Sequence, residues 1–327
     1  MTNRLNWFLL TVLLLFAAPY YWLLLDNRPG DVPAKPVGIE QLRSLAASIP
    51  GPAPSALEVE VVGWRRLPGD LFVAGSGIKR KLVAVMAWRL LVPGGKPIVI
   101  DSGMTAASAQ EMELEYFRAA SQDRVDAALR EAGMILITHE HPDHIGGLVA
   151  LGSLPLTNSA RLGPQQLPTA ALAGTMVPWP KGVALQAGLA PQGLQAVAPG
   201  VVVIPAPSHT PGSQMIYVRM ASGREYLFAG DIATFAQNWE ELRARSRLVG
   251  DFVAPENRAE VFAWLKTIRA LKKSAPKMSV LPGHDFEWLF IDKKVHGIKV
   301  RFGPLCPAKQ RALGNEPLLR RISMKTR

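Results

Sequence analysis

Six adjacent positions of the chain, 139–144, hold a cluster of residues that can bind a metal ion. The chain has six histidines, and this cluster contains three of them together with two acids, namely His139, Glu140, His141, Asp143 and His144. Imidazole nitrogens and carboxylate oxygens together are ligands of zinc and of related divalent ions. The composition of the cluster therefore predicts a site for such ions, which activate water for hydrolysis.

The place of this cluster in the chain predicts a loop at the end of a strand. The apolar run MILI, 134–137, indicates a buried strand, and the HEHPDH motif follows it directly. Pro142 disfavours a helix through the motif. In an extended loop His139 and His141 share one side, two residues apart. We expect the last two residues of the motif to turn into the same cavity, and Glu140 to point away from it.

Further ligands are expected after three other apolar runs, each of which indicates a strand with a glycine or proline turn beside it. They are His209 after VVVIPA (201–206), Asp231 after EYLFAG (225–230) and His284 after MSVLPG (278–283). A lone histidine is usually a core or surface residue, but repeated placement at strand ends favours a shared site. The predicted metal ligands are His139, His141, Asp143, His144, His209, Asp231 and His284. The remaining histidine, His296, is expected on the surface.

Several more elements must position these residues. Alternating or apolar runs predict strands at 57–64, 81–91, 97–103 and 214–220, and apolar spacing predicts helices within 39–48, 106–132 and 254–273. The strand at 97–103 contains Asp101, which has two interpretations. It either orients a ligating histidine from behind or is a turn residue.

The first residues are apolar enough to cross a membrane. The run from 5 to 25 has no charged residue and carries aromatic residues near both ends. A signal peptide cleaved after Ala17-Ala18 is the alternative. The predicted organisation is an anchor at 1–26, a proline-rich linker at 27–56, a globular domain at 57–290 with an insertion at 152–200, and a basic extension at 291–327. With a single-pass anchor, we expect the domain on the periplasmic or extracytoplasmic side.

Charge and cysteine content limit the class of protein. The net charge is +11, and residues 290–327 hold ten lysines and arginines against two acids. Such an end binds nucleic acid or anionic lipid, or is simply solvated. No basic and aromatic stripe lies near the predicted ligands, so we expect no nucleic acid. The single cysteine, Cys306, excludes an internal disulfide and a thiolate-rich zinc site.

The motifs THEHPDHIGG, SHTPGS, AGD and PGHD, in this order, resemble those of the metallo-β-lactamase-fold hydrolases, and most of all the acyl-homoserine lactonase group. The resemblance covers roughly residues 59–286 and implies a four-layer αββα sandwich with two divalent metal ions, zinc first among them. It implies one ion on His139, His141 and His209, a second on Asp143, His144 and His284, and Asp231 as the bridge between them.

The resemblance also implies an activity and leaves alternatives open. It implies that a hydroxide bridging the metals attacks an ester-like bond of a lactone, thioester or related small molecule, with Asp143 also accepting a proton. Ser213 and Thr234 depart from the histidine and tyrosine of the lactonase group. The apolar insertion favours an apolar substrate. The alternatives are a sulfur dioxygenase with one iron, and a membrane-tethered binding protein without catalysis. The sequence does not predict an oligomeric state.

Overall fold

The computed structural model describes residues 2–152, 158–167, 179, 187–291 and 297–302. Nearly half of the predicted insertion, the end of the basic extension, His296 and Cys306 lie outside the described residues.

The described strands form two sheets. In chain order they are β1 (Ala56–Pro68), β2 (Arg80–Leu91), β3 (Ile98–Ile100), β4 (Tyr116–Phe117), β5 (Met134–Leu136), β6 (Gln195–Ala198), β7 (Val201–Pro205), β8 (Gln214–Arg219), β9 (Glu225–Gly230), β10 (Ser279–Pro282) and β11 (Ile298–Val300). The first sheet has the order β11-β1-β2-β3-β5, with β4 on β1, and the second has the order β10-β9-β8-β7-β6.

The described part of the chain has α-helices before and between these strands. They are α1 (Thr2–Tyr20), α2 (Ile39–Ala46), α3 (Gly69–Phe72), α4 (Ala106–Glu111), α5 (Ala119–Glu131), α6 (Pro142–Leu151), α7 (Ala236–Glu240) and α8 (Arg258–Ser274). A π-helical turn, Tyr21–Leu25, continues α1, and two more π-helical segments span Leu248–Val253 and Glu287–Ile291.

The alternation of side chains along β2 explains why the sheets stack. Met86 and Trp88 pack into the core between the two sheets, whereas Val85 and Ala87 pack on the other face, against helices. Successive strand residues point to opposite faces, so a strand that is apolar throughout needs a covered face on both sides. β2 is therefore buried on both faces.

Three apolar clusters separate four layers. One cluster lies between the sheets. A second lies between the first sheet and α5 and α6, and a third lies between the second sheet and α2 and α8. These mixed sheets and helices agree with the αββα sandwich that the resemblance implies.

Some elements differ from the sequence prediction. The helix predicted within 106–132 is two helices separated by β4, and Glu113 in the break has a left-handed φ of 52°. The strand predicted at 97–103 ends at Ile100, because the next residue, Asp101, has φ 59° and leaves the extended conformation. Neither β6, within the predicted insertion, nor β11, within the predicted extension, was predicted from the sequence.

The first part of the chain has an apolar helix followed by a packed segment. Residues Asn3–Leu25 form a helix that is long and apolar enough to cross a membrane, and its most apolar window is not buried against the protein. In the segment predicted as a linker, Ile39, Leu42 and Ala46 of α2 pack into the core outside the second sheet.

Candidate metal centre

The seven predicted ligands come from four loops that follow strands β5, β7, β9 and β10. β10 pairs with β9 in parallel, and β7 runs in the same direction as β9 because both pair antiparallel to β8. Their carboxyl ends therefore meet at one edge of the second sheet, which brings His209, Asp231 and His284 together. The loop after β5 reaches the same place from the first sheet.

The HEHPDH motif is only partly a loop. The prediction that Pro142 disfavours a helix through the motif was wrong for the second half of the motif, because α6 begins at Pro142 itself. Proline is tolerated at the first helical position, where a backbone N–H has no partner within the helix and φ is already suitable. His141 is thus the residue before the helix, and Asp143 and His144 lie in its first turn.

His139, His141 and His209 form the first group of candidate ligands. His139 Nε2 lies 2.9 Å from His141 Nδ1, and His209 Nε2 lies 3.1 Å from the same atom. Nitrogens about 2.0–2.1 Å from a tetrahedral zinc ion are about 3.3 Å apart. The spacing of the three nitrogens fits one shared ion.

Asp143, His144 and His284 form the second group. His144 Nε2 lies 3.3 Å from His284 Nε2. The Asp143 Oδ2 atom lies 3.7 Å from His144 Nε2 and 3.5 Å from His284 Nε2. The three side chains are buried, and their spacing again fits one divalent ion.

Asp231 stands between the two groups. Its Oδ1 lies 2.9 Å from His284 Nε2, and its Oδ2 lies 3.7 Å from His209 Nε2. Burial raises the pKa of this carboxyl, but His284 and the other histidines outweigh burial and hold the pKa well below its usual value.

The Oδ1 atom of Asp231 tests whether the site fits a metal ion. It is buried and has no hydrogen-bond partner. The nearby His284 Nε2 atom, at 2.9 Å, carries no proton to donate when the Nδ1–H of the same ring donates to the Ala84 carbonyl. A buried carboxylate oxygen without a partner is costly, and a divalent cation between these donors would satisfy it. The residues present therefore fit a metal centre.

The histidines differ in how readily they bind a proton. Burial, followed by repulsion from His209, lowers the pKa of His141 to about 3. Burial also opposes protonation of His144, but Asp143 and Asp101 outweigh it and raise the pKa of His144 to about 10. A ligating imidazole must be neutral, so an ion bound at the second group has to displace the His144 proton.

Acceptors behind three of the histidines fix the orientation of their rings. A histidine that donates its Nδ1–H to an acceptor keeps Nε2 free for a metal. The distances assign this tautomer to three of the histidines. The three pairs are His144 Nδ1 with Asp101 Oδ2 at 2.9 Å, His209 Nδ1 with Glu256 Oε2 at 2.8 Å, and His284 Nδ1 with the Ala84 carbonyl at 2.7 Å.

Asp101 is thus an orienting residue, the first of its two interpretations. Its other oxygen accepts from the Thr138 N–H at 2.7 Å, and its Oδ2 also accepts from the Thr138 hydroxyl at 2.9 Å. Asp101 has a left-handed backbone conformation. Its one carboxylate binds both Thr138, just after β5, and the His144 ring.

Arg245 and Glu256 contact the site, but the sequence analysis did not predict them as site residues. The Arg245 Nη2 group donates to the Asp231 carbonyl at 3.1 Å and to the Thr234 hydroxyl at 2.6 Å, and Nη1 lies 3.5 Å from Glu256. Both side chains are buried. Neither stands in a histidine-containing motif or at a predicted strand end, so only the tertiary structure identifies them.

Glu140 points away from the centre, as predicted. It is buried and accepts from the Thr210 hydroxyl at 2.7 Å and from the Gly212 N–H at 3.0 Å. A Cβ atom on Gly212 would lie 2.4 Å from the Glu140 carboxylate, so a glycine is required at this close approach. Glu140 therefore joins the two loops that carry the first group of ligands.

The substitution Asp101→Asn should weaken metal binding at the second group by about 10–100-fold. Asparagine keeps the shape and tolerates a positive φ, but it removes the charge that holds His144 Nδ1–H. A competition titration with a chromophoric chelator measures the affinity. Asp123→Asn, an exposed site on α5, is the matched control and should bind metal like the unchanged protein. Equal affinities for the two variants would contradict the orienting role.

Comparisons with known proteins place this site in a family context. The Metallo-beta-lactamase superfamily model matches residues 85–155, which contain the HEHPDH motif. A UPF0173 metal-dependent hydrolase of Cupriavidus metallidurans is 29% identical over 165 residues, which are 46% of this chain and 54% of that protein. The chain thus spans about half the length of the curated relative that it matches.

Solved structures share the fold at low identity. A quorum-quenching N-acyl homoserine lactone lactonase has a TM-score of 0.58 and 20% identity, over 74% of this chain and 97% of that chain. An N-acyl homoserine lactone hydrolase with N-hexanoyl-L-homoserine bound at its catalytic metal centre has a TM-score of 0.57 and 18% identity, over 75% of this chain and 97% of that chain. The predicted resemblance to the superfamily is confirmed by the family model, and the lactonase structures share the fold.

Proposed function

We propose that this protein, which is similar to the metallo-beta-lactamase superfamily, is a metal-dependent hydrolase with two divalent ions, most simply zinc. Its substrate is a small molecule with an ester-like bond, a lactone, a thioester or a related group. The chain is similar over part of its length to a metal-dependent hydrolase, and it shares its fold with a hydrolase that binds its product at a metal centre. Both similarities support a hydrolase.

The placement of Asp231 carries this proposal. Its two oxygens face different groups of histidines, one towards His284 at 2.9 Å and the other towards His209 at 3.7 Å. A site for one ion needs only three or four ligands, and seven donor residues, the shared carboxylate included, are enough for two. This arrangement supports a centre with two metals bridged by Asp231.

The side chains of this centre have separate tasks. When bound, divalent ions lower the pKa of coordinated water and polarise a carbonyl oxygen. Burial raises the pKa of Asp143, but His144 and His284 outweigh burial and lower it, so the carboxylate is ionised at neutral pH. It can therefore accept a proton, in addition to its role as a ligand. Arg245 holds Asp231 and Thr234 in place from behind.

Metal content and hydrolysis test the proposal together. The purified full-length protein should contain close to two divalent ions per chain, since both groups of ligands are complete. Elemental analysis measures the ions, and a screen across lactones, thioesters and phosphodiesters measures hydrolysis. One iron and no zinc would favour the dioxygenase alternative. Two bound metals without hydrolysis of any substrate would favour the binding protein.

We also propose that residues 5–25 anchor the chain in a membrane and that the domain lies on the periplasmic or extracytoplasmic side. The helix over Asn3–Leu25 has a mean hydropathy of 2.1 in its most apolar window and is not buried against the domain. A helix of this length spans the hydrocarbon core of a bilayer. Its exposure supports lipid, rather than protein, as its surroundings.

Full-length protein should stay in the membrane fraction through an alkaline carbonate wash, because a spanning helix is held by the hydrophobic effect rather than by charge. Immunoblotting of the washed membranes and of the supernatant measures the distribution. Mass spectrometry of the N-terminus is the control for processing. A mature chain that begins near Pro19 would show a removed signal peptide and would contradict the anchor.

A further inference from the structure

Large apolar side chains that are exposed on the surface occur in two places among the described residues. Most belong to the N-terminal helix itself. The others are Ile78, Phe252 and Val253, which are 73%, 59% and 70% exposed. Since single exposed apolar residues are normal on a soluble protein, the informative property of these three is where they lie.

Phe252 contacts the end of the N-terminal helix, and Val253 and Ile78 each lie within three residues of a residue that contacts it. The Phe252 ring is 6.2 Å from the Trp22 ring, edge to face, and Val253 follows it in the chain. Ile78 lies in the loop after α3, and the same loop is attached to the helix by the Gly75 N–H, which donates to the Leu24 carbonyl at 2.9 Å.

The connection between helix and domain is held by hydrogen bonds. Arg247 Nε donates to the Asp26 carboxylate at 2.7 Å, and Arg258 Nη2 donates to the Asp26 carbonyl at 2.8 Å. The Ala244 N–H donates to the Asn27 carbonyl at 2.9 Å. A chain held at consecutive residues in this way is not a free tether. The orientation of the helix in a bilayer therefore sets the orientation of the domain.

One exposed cation adjoins these apolar residues. Lys79 is exposed and follows Ile78 directly, and a basic residue beside apolar ones binds the headgroups of anionic lipids. The next cation, Arg80, is paired with Glu115 at 2.9 Å, and Arg247 is shared between Asp26 and Asp251. The continuity of the apolar residues with the end of the apolar helix is therefore the main argument for a lipid surface.

We propose that Ile78, Phe252 and Val253, with Lys79, form a membrane-facing surface that rests in the headgroup region of the bilayer entered by the N-terminal helix. This inference rests on the proposed anchoring and goes beyond it, because a tethered domain need not touch the bilayer at all.

Two arginines connect the end of the helix with the metal centre. Arg258, which donates to the Asp26 carbonyl, also donates to the Arg245 carbonyl at 3.2 Å, and Arg245 in turn donates to the Asp231 carbonyl. These contacts lead from Asp26 to the proposed bridging residue.

Depth measurements on full-length protein in lipid nanodiscs test the surface. In a Cys306→Ser background, the variants Ile78→Cys and Phe252→Cys carry an environment-sensitive fluorophore, in discs of phosphatidylcholine and phosphatidylglycerol. Ser222→Cys is the control, because it lies in the exposed β8–β9 turn, at the opposite end of the second sheet from Asp231. We expect a blue-shifted emission, and quenching by lipids with a spin label near the headgroup, at 78 and 252 only.

The outcomes separate this surface from the anchor. Protein that does not enter the discs would overturn the anchor and, with it, the surface. Protein that enters the discs but gives the same emission at 78, 252 and 222 would overturn the surface alone. Unlabelled wild-type protein gives a second measurement that needs no cysteine variant. Photoreactive lipid should crosslink to peptides spanning 76–80 and 249–254, and crosslinks restricted to other peptides would also overturn the surface.

Discussion

Asp231→Ala should lose hydrolysis in a way that added zinc does not restore, whereas His284→Ala should recover part of its activity in excess zinc. The hydrolytic activity of both variants should fall by about 100-fold or more, which is the loss typical of removing a group that stabilises a transition state. Asp231 contacts both groups of ligands, so its loss changes the geometry of both. His284 belongs to the second group, so its loss mainly raises one dissociation constant.

The difference between the two variants follows from mass action. A weakened site refills when free metal exceeds its raised dissociation constant, but concentration does not replace a missing bridge. Activity measured against free zinc for both variants checks this, with the exposed Asp123→Ala as the control that should retain full activity. Equal rescue of the two variants would count against Asp231 as a bridge. Unchanged activity in both would remove these residues from the centre.

Gly147→Ala should destabilise the fold strongly, while Gly146→Ala, one residue earlier in the same helix, should be tolerated. A Cβ atom on Gly147 would lie 2.0 Å from the Ser102 carbonyl oxygen, which is backbone and cannot move alone. On Gly146 the nearest atom would be Met104 Cα, at an ordinary contact distance of 3.4 Å. We expect a loss of about 3 kcal/mol or more in the free energy of unfolding for Gly147→Ala, at or above the usual range for overpacking.

The neighbouring variant is the matched control for that loss. Gly146→Ala should be neutral or gain up to about 1 kcal/mol, because alanine is the better helix former. Denaturant unfolding of the full-length proteins compares the two, and metal content gives a second readout. The first turn of α6 carries Asp143 and His144, so a displaced helix should also bind less metal. Similar unfolding midpoints for both variants would show that the contact with Ser102 relaxes easily.

The strands and the candidate ligands could be predicted because their signals are local. Val85 and Met86 lie in one apolar run, and such a run between turn residues indicates a buried strand without any knowledge of its neighbours. His209 and His284 each stand just after such a run. The sequence therefore predicted which residues could share a site, and the structure supplies the distances between them.

What could not be predicted depends on partners far away in the chain. β11 is three residues long and exists because it pairs with β1, and such a short segment has no period of its own. Glu256 and Arg245 act on His209 and Asp231 only after the loops have folded against each other. The Pro142 prediction failed for a different reason. Proline is unfavourable within a helix but suitable at its first position, and Asp143 directly after it is a signal for the second case.

The parallel pairing of β11 with β1 has a consequence for the order in which the protein is made. Leu57 pairs with Ile298, so the part of the edge of β1 at 57–59 stays open while about 240 further residues are synthesised. At about 5–20 residues per second this takes roughly 10–50 seconds. An unpaired strand edge can associate with another chain during that time. The nascent protein is thus most exposed to mispairing before its last described strand has left the ribosome.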